Sequence, residues 1–82
     1  MARHEVLSPI PGVFYRRPDP GSAEYTRPGE PVGPQDTIGL VEVMKAYFPV
    51  PAGAAGTVVE FAVGSEQVVD AGQVLAVLEV DG

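Results

Sequence analysis

Eighty-two residues, 45% of them hydrophobic, suffice for one small domain with a thin core. The absence of cysteine excludes disulfides and thiolate metal sites, and the single histidine, His4, builds no zinc site by itself. A net charge of −6 excludes nucleic-acid binding through a basic patch, and no apolar run approaches the ~20 residues of a membrane-spanning helix.

Residues Met1 to Val6 (MARHEV) have no hydrophobic stretch behind them, so no signal peptide is read and the chain is expected to be cytoplasmic. His4 is expected to be a solvated terminal residue. Ten glycines and nine prolines disfavour helix interiors. The valine-rich stretches between them predict short strands joined by tight turns.

Glu5 to Leu7 reads as a short edge strand and Val13 to Arg16 (VFYR) as a second. Arg17 to Pro28 (RPDPGSAEYTRP) reads as a loop whose prolines fix its shape. Thr37 to Val43 (TIGLVEV) is a strand, and Ala46 to Val50 (AYFPV) returns beside it, with Pro49 suited to an edge. Pro51 to Gly56 turns, Thr57 to Val63 alternates as a strand, Gln67 to Val69 is a brief one, and Val74 to Val80 closes the series. No segment sustains a helical period.

The chain also repeats itself. Gly29-Glu30-Pro31-Val32 and Thr37 to Val41 register with Ser65-Glu66-Gln67-Val68 and Gln73 to Val77 at an offset of 36. Gly12-Val13-Phe14 registers with Gly56-Thr57-Val58 at an offset of 44. The first half therefore holds about eight extra residues, which fall in the proline-rich loop. Two halves of four strands each, neither able to bury its apolar face alone, predict an all-β fold: a flattened barrel or sandwich with pseudo-twofold symmetry. Chance similarity between valine-rich strands is the competing explanation of the repeat.

Lys45 is the only lysine, and it falls between the last strand of one half and the first of the other. A residue there projects from a tight hairpin at one end of the barrel, open to an enzyme that would modify its amine. An ordinary solvated lysine fits that position equally well. No catalytic set is visible: a Ser–His–Asp triad would need His4, and there is no glycine-rich phosphate loop. Asp36, Glu42, Glu60, Glu66, Asp70 and Glu79 read as scattered, solvated carboxylates. Phe14, Tyr47, Phe48 and Phe61 are expected in the core or in cross-strand pairs.

Glu42-Val43-Met44-Lys45 resembles the Glu-Ala-Met-Lys of biotin carrier domains, in which the lysine is biotinylated. Ser8-Pro9-Ile10-Pro11-Gly12 with Phe14-Tyr15-Arg16 is similar to the opening of bacterial acetyl-CoA carboxylase carrier domains. Pro18 and Pro20 fall where that family inserts a "thumb" into its first half. Gly29 and Gly56 match the turn glycines of biotinyl and lipoyl domains, and the resemblance runs from about Leu7 to Val80. Val43 and Ala46 depart from the family's usual alanine before Met-Lys and larger residue after it, and Arg17 stands where Ser or Thr is common.

The resemblance implies a single biotinyl domain over 1–82, with a thumb at about 17–26 (Arg17, Pro18, Asp19, Pro20) and an attachment hairpin at about 43–46. It implies covalent biotin on Lys45, with Glu42, Val43 and Met44 read by a biotin protein ligase. It further implies a non-catalytic carrier taking carboxybiotin from a biotin carboxylase to a carboxyltransferase in an acyl-CoA carboxylase of fatty acid synthesis, most simply the acetyl-CoA enzyme. Two alternatives stand beside it. Lys45-Ala46 echoes lipoyl domains, which have Asp where Met44 stands and lack the thumb. An unmodified barrel serving as an interaction module is the other.

Overall fold

The computed structural model describes residues 2–19 and 21–80. Its eight strands are β1 (Ala2–Leu7), β2 (Gly12–Tyr15), β3 (Pro31–Val32), β4 (Thr37–Val43), β5 (Ala46–Pro51), β6 (Gly56–Phe61), β7 (Gln67–Val69) and β8 (Val74–Val80). They form two four-stranded antiparallel sheets, β1-β8-β6-β3 and β5-β4-β2-β7. Each sheet takes two strands from each half of the chain. The inward-facing residues of both meet in one core that includes Phe14, Ile38, Val41, Leu75 and Leu78, all fully buried.

The pairing reveals the symmetry. Val13 pairs with Glu42 as Thr57 pairs with Glu79, and Tyr47 pairs with Glu42 as Arg3 pairs with Glu79. The first two strands of each half are thus related at an offset of 44, and the last two at 37. Loops obey the same rule. The Gly33 N–H donates to Asp36 Oδ2 (2.8 Å) as the Asp70 N–H donates to Gln73 Oε1 (2.9 Å). The Gly29 N–H donates to the Val58 carbonyl as the Glu66 N–H donates to that of Phe14.

The sequence register of 36 is therefore one residue short, and the first-half excess is seven residues, not eight. The physical reason is a pair of adjacent valines. The offset of 36 sets Val32 against Val68, but the buried residue is Val69, while Val68 points outward. A one-residue slip exchanges the two faces of a strand.

Other differences are local. β1 begins at Ala2, so half-buried His4 lies within a paired strand opposite Leu78 and is not a loose terminal residue. β2 ends at Tyr15 and β6 at Phe61, earlier than the sequence pattern suggests. β3, only two residues long, left no alternation to read. Phe14 is core, but Tyr47 and Phe48 are about half exposed because β5 is a sheet edge. Tyr47 does enter a tyrosine pair, and Phe48 pairs across the strands with buried Val41.

Glycine is required where strands approach closely. A Cβ on Gly12 would collide with the Glu42 carbonyl, and one on its symmetry mate Gly56 with that of Glu79. Gly39 lies under Phe14, whose ring edge would be 2.5 Å from an added Cβ. The Gly12 and Gly39 contacts lie in the second sheet, which carries the β4–β5 hairpin, and the Gly56 contact lies in the first.

Candidate lysine hairpin and the cleft beside it

β4 and β5 pair to their ends, Val43 opposite Ala46, leaving Met44 and Lys45 as a two-residue loop. Both have positive φ, 49° and 67°. Positive φ at both central positions defines the type I′ turn, whose twist matches that of the strands it joins. Asn-Gly is the easy sequence for such a turn. A side chain held there costs about 1–2 kcal/mol per residue. The core beneath enforces the conformation, because Val41 is fully buried and Val43 packs against the same cluster.

The turn presents its side chains outward. Met44 is 94% exposed, and Lys45 is exposed as well. Among the described residues every ion pair ends on Glu24, so the Lys45 ammonium has no carboxylate partner.

Glu42, the first residue of the motif, faces out of the sheet two positions before Met44. Its Oε1 accepts a 2.9 Å hydrogen bond from the Tyr15 hydroxyl. That bond holds the Tyr15 phenol above its ordinary value, and burial and the nearby charges of Glu42 and Glu66 act in the same direction. The Tyr15 and Tyr47 rings lie 6.4 Å apart, centroid to centroid, tilted by 54°. In the sequence Glu66 stands as a scattered carboxylate and neither tyrosine is marked as a site residue. Their shared outward face, set by strand alternation, was the available signal.

The proline-bearing loop that follows β2 is held by polar contacts. Asp19 accepts from the Gly21 N–H (3.0 Å) and the Ser22 hydroxyl (2.9 Å). Glu24 gathers Arg16, Arg17 and Arg27 at 3.4, 3.6 and 3.9 Å. Arg16 also lies over Phe61, its guanidinium carbon 4.0 Å from the ring centre. Pro20 lies outside the described residues. Arg17, Pro18 and Asp19 form one wall of a cleft of about 520 Å³ whose other walls include Tyr15, Tyr47 and Glu66. Arg17, Pro18 and Asp19 therefore lie beside the Tyr15–Tyr47 face of the sheet that ends in the lysine hairpin.

No group of three or more metal-ligating side chains occurs among the described residues, and no helix there is long and apolar enough to cross a membrane.

The sequence profile of the biotin and lipoyl attachment family, described as "Biotin-requiring enzyme", matches residues 4–78. The chain belongs to this family. It is 34% identical over 77 residues to the biotin carboxyl carrier protein of acetyl-CoA carboxylase from Nostoc sp., covering 94% of this chain and 42% of that protein. The protein of the same description from Porphyra purpurea is 32% identical over 74 residues, covering 90% and 47%. The chain thus spans less than half the length of these relatives. Among solved structures it is similar to the Kluyveromyces lactis urea carboxylase, with a TM-score of 0.76 and 25% identity over 96% of this chain and 6% of that one. A single-chain, multi-domain long-chain acyl-CoA carboxylase shares the fold, with a TM-score of 0.79 and 20% identity over 98% and 7%.

Proposed function

We propose that Lys45 carries biotin through an amide bond and that the barrel acts as a carboxyl carrier in an acyl-CoA carboxylase. The observation that carries this reading is the turn. The chain's only lysine stands exposed, with no carboxylate partner among the described residues, in a two-residue hairpin loop whose backbone is held at positive φ. Amide formation needs an accessible primary amine, and the residues present fit that requirement. Bound biotin supplies a ureido nitrogen able to accept and release a carboxyl group.

The chain's own part is physical. A rigid turn on a packed sheet fixes the root of a long flexible arm. The tether raises the effective concentration of the arm's tip at two separate active sites. Glu42, Val43 and Met44 present the turn to a biotin protein ligase, and Arg17, Pro18, Asp19 and Pro20 form the thumb beside it. The partners are a biotin carboxylase and a carboxyltransferase in the cytoplasm. The acceptor read from the curated relatives is acetyl-CoA, the barrel itself makes no bond, and residues 1–82 act as one biotinyl domain.

Intact mass and an avidin blot of protein from its native host test the cargo. An avidin-reactive gain of one biotinyl group, lost in Lys45→Arg, is expected. A lipoyl-sized gain would transfer the reading to the lipoyl carriers. Unmodified protein would leave an interaction module. Co-purification with a biotin carboxylase tests the pathway.

A further inference from the structure

The two halves treat their open sheet edges differently. β1 meets β8 as β5 meets β4, pair for pair and with the irregularity at the same place, so Arg3, Glu5 and Leu7 are the mates of Tyr47, Pro49 and Pro51. Val43 and Ala46 flank a two-residue turn and exchange both backbone hydrogen bonds, and alternation then turns the backbone groups of Tyr47 and Pro49 away from β4. Proline has no N–H to offer there, which closes a sheet edge to a further strand. By the same alternation Arg3 and Glu5 turn their N–H and C=O groups to the open side of β1. The remaining edges, β3 and β7, have two and three residues, and β3 carries Pro31. Among the described residues β1 is therefore the one edge of six residues without a proline.

The side chains on that edge say what fits it. Arg3 and Glu5 are exposed, carry opposite charge and stand on the same face, either side of half-buried His4. Two β1 strands meeting antiparallel across a twofold axis at His4 set Arg3 against Glu5 of the other copy, and Glu5 against its Arg3. In both pairs the open backbone groups face each other, so each pair exchanges both of its hydrogen bonds. An axis at Arg3 or at Glu5 would set like charge directly on like, which destabilises the pairing. A slip by one residue would aim open groups at groups already used by β8. One register is left. An edge guarded by charge relies on side chains that repel an arriving strand, whereas Arg3 and Glu5 attract a copy of themselves. Leu7, 48% exposed, lines a groove of about 360 Å³ with Pro9, Val50 and Pro51, and this apolar surface flanks the edge.

We infer that β1 docks a second copy of this chain, antiparallel about His4, joining the two β1-β8-β6-β3 sheets into one. Arg3 then lies between Glu79 of its own chain, opposite it on β8, and Glu5 of the second copy. The joined sheet is not the one that ends in Lys45, so the dimer carries two lysine hairpins, both outside the shared edge. A net charge of −6 on each copy opposes association, and an edge of six residues covers little surface. The contact is accordingly weak, with a Kd on the order of 0.1–1 mM.

Sedimentation equilibrium and amide NMR on the intact chain, up to about 1 mM, test the contact. The expected result is a mass rising toward that of the dimer, with concentration-dependent shifts centred on Arg3, His4 and Glu5. Glu5→Arg turns both attractive pairs repulsive and should weaken association about tenfold. Arg3→Glu should do the same, and the two variants mixed should associate at least as tightly as the parent chain, because each meets the charge it lacks. Glu5→Pro copies Pro49 of the other half and should abolish association while the barrel stays folded by circular dichroism. It leaves Arg3 opposite Glu79, so it decides the matter even where Arg3→Glu weakens the fold. A monomer at about 1 mM overturns the inference. So does association indifferent to Glu5→Arg or Glu5→Pro, a mixed pair that fails to associate, or shifts centred on β5. Association is expected alike with Lys45 modified or free, so a Lys45 that never takes biotin counts against the carrier reading alone.

Discussion

Tyr15 reports on the state of the face from a single hydrogen bond. Its hydroxyl donates to Glu42, and only the protonated phenol can donate. The folded chain therefore favours the neutral form, and the phenol titrates above its ordinary value of 10.0. The linkage has a definite sign. The contribution to stability is fully present below the unfolded value and is lost as pH rises through the folded one. Acidification to neutral pH leaves it untouched. The prediction is that the Tyr15 ring carbon titrates later in folded than in unfolded protein, and that Glu42→Gln returns it toward the ordinary value. A ring-carbon titration by NMR separates Tyr15 from Tyr25 and Tyr47. An unchanged Tyr15 midpoint in Glu42→Gln would show that the phenol does not sense this carboxylate. Lys45 belongs to the same scale: its residue type and spacing were legible in the sequence, but its positive φ was not, because Met-Lys lacks the Asn-Gly signature of such a turn.

At the scale of elements, the two symmetry-related turns give a matched pair of predictions. Glu66→Gly relieves a side chain from the left-handed region, and part of that gain is offset by the freedom glycine adds to the unfolded chain. A net stabilisation of about 0.5–1 kcal/mol is expected in urea unfolding. Gly29→Ala, at the mate position, should lose a similar amount, since its Cβ meets no neighbour and only backbone strain is added. Equal and opposite shifts test whether the halves share one turn geometry. Gly12→Ala is different in kind. Its Cβ would strike a backbone carbonyl, so a loss of about 1–3 kcal/mol is expected from overpacking.

These elements also show what could be read in advance. The bounds of β4, β7 and β8 were legible, because valine-rich runs are punctuated there by Gly, Asp or Ser. β3 was not, since two residues carry no period. The repeat was visible but slipped by one, because Val68 and Val69 are chemically identical and only burial distinguishes them. The cleft was the least legible part. It joins β2, β5, the thumb loop and Glu66, which are brought together by sheet pairing and have no common local pattern.

The whole molecule is interleaved. β1 and β3 pair only with β8 and β6, while β5 and β7 pair only with β4 and β2. Cutting between Met44 and Lys45 would leave the first piece with one native pair, β2–β4, and the second with β6–β8. Each piece would expose its share of a core whose buried members come from both sheets. An isolated strand pair has at best marginal stability in water. Peptides 1–44 and 45–82 should therefore show no cooperative unfolding alone, whereas the intact chain unfolds in one transition by circular dichroism. Mixed in equal amounts, they should recover strand structure in a concentration-dependent way, because association replaces the covalent turn. A half that unfolds cooperatively alone would contradict the interleaving. Recovery on mixing would separate the two duties of the hairpin: the sheets would assemble without the peptide bond after Met44, while presenting Lys45 at a fixed angle still requires the closed turn. Restored strand structure together with loss of ligase modification would assign the positive-φ turn to presentation of the lysine and the interleaved core to stability.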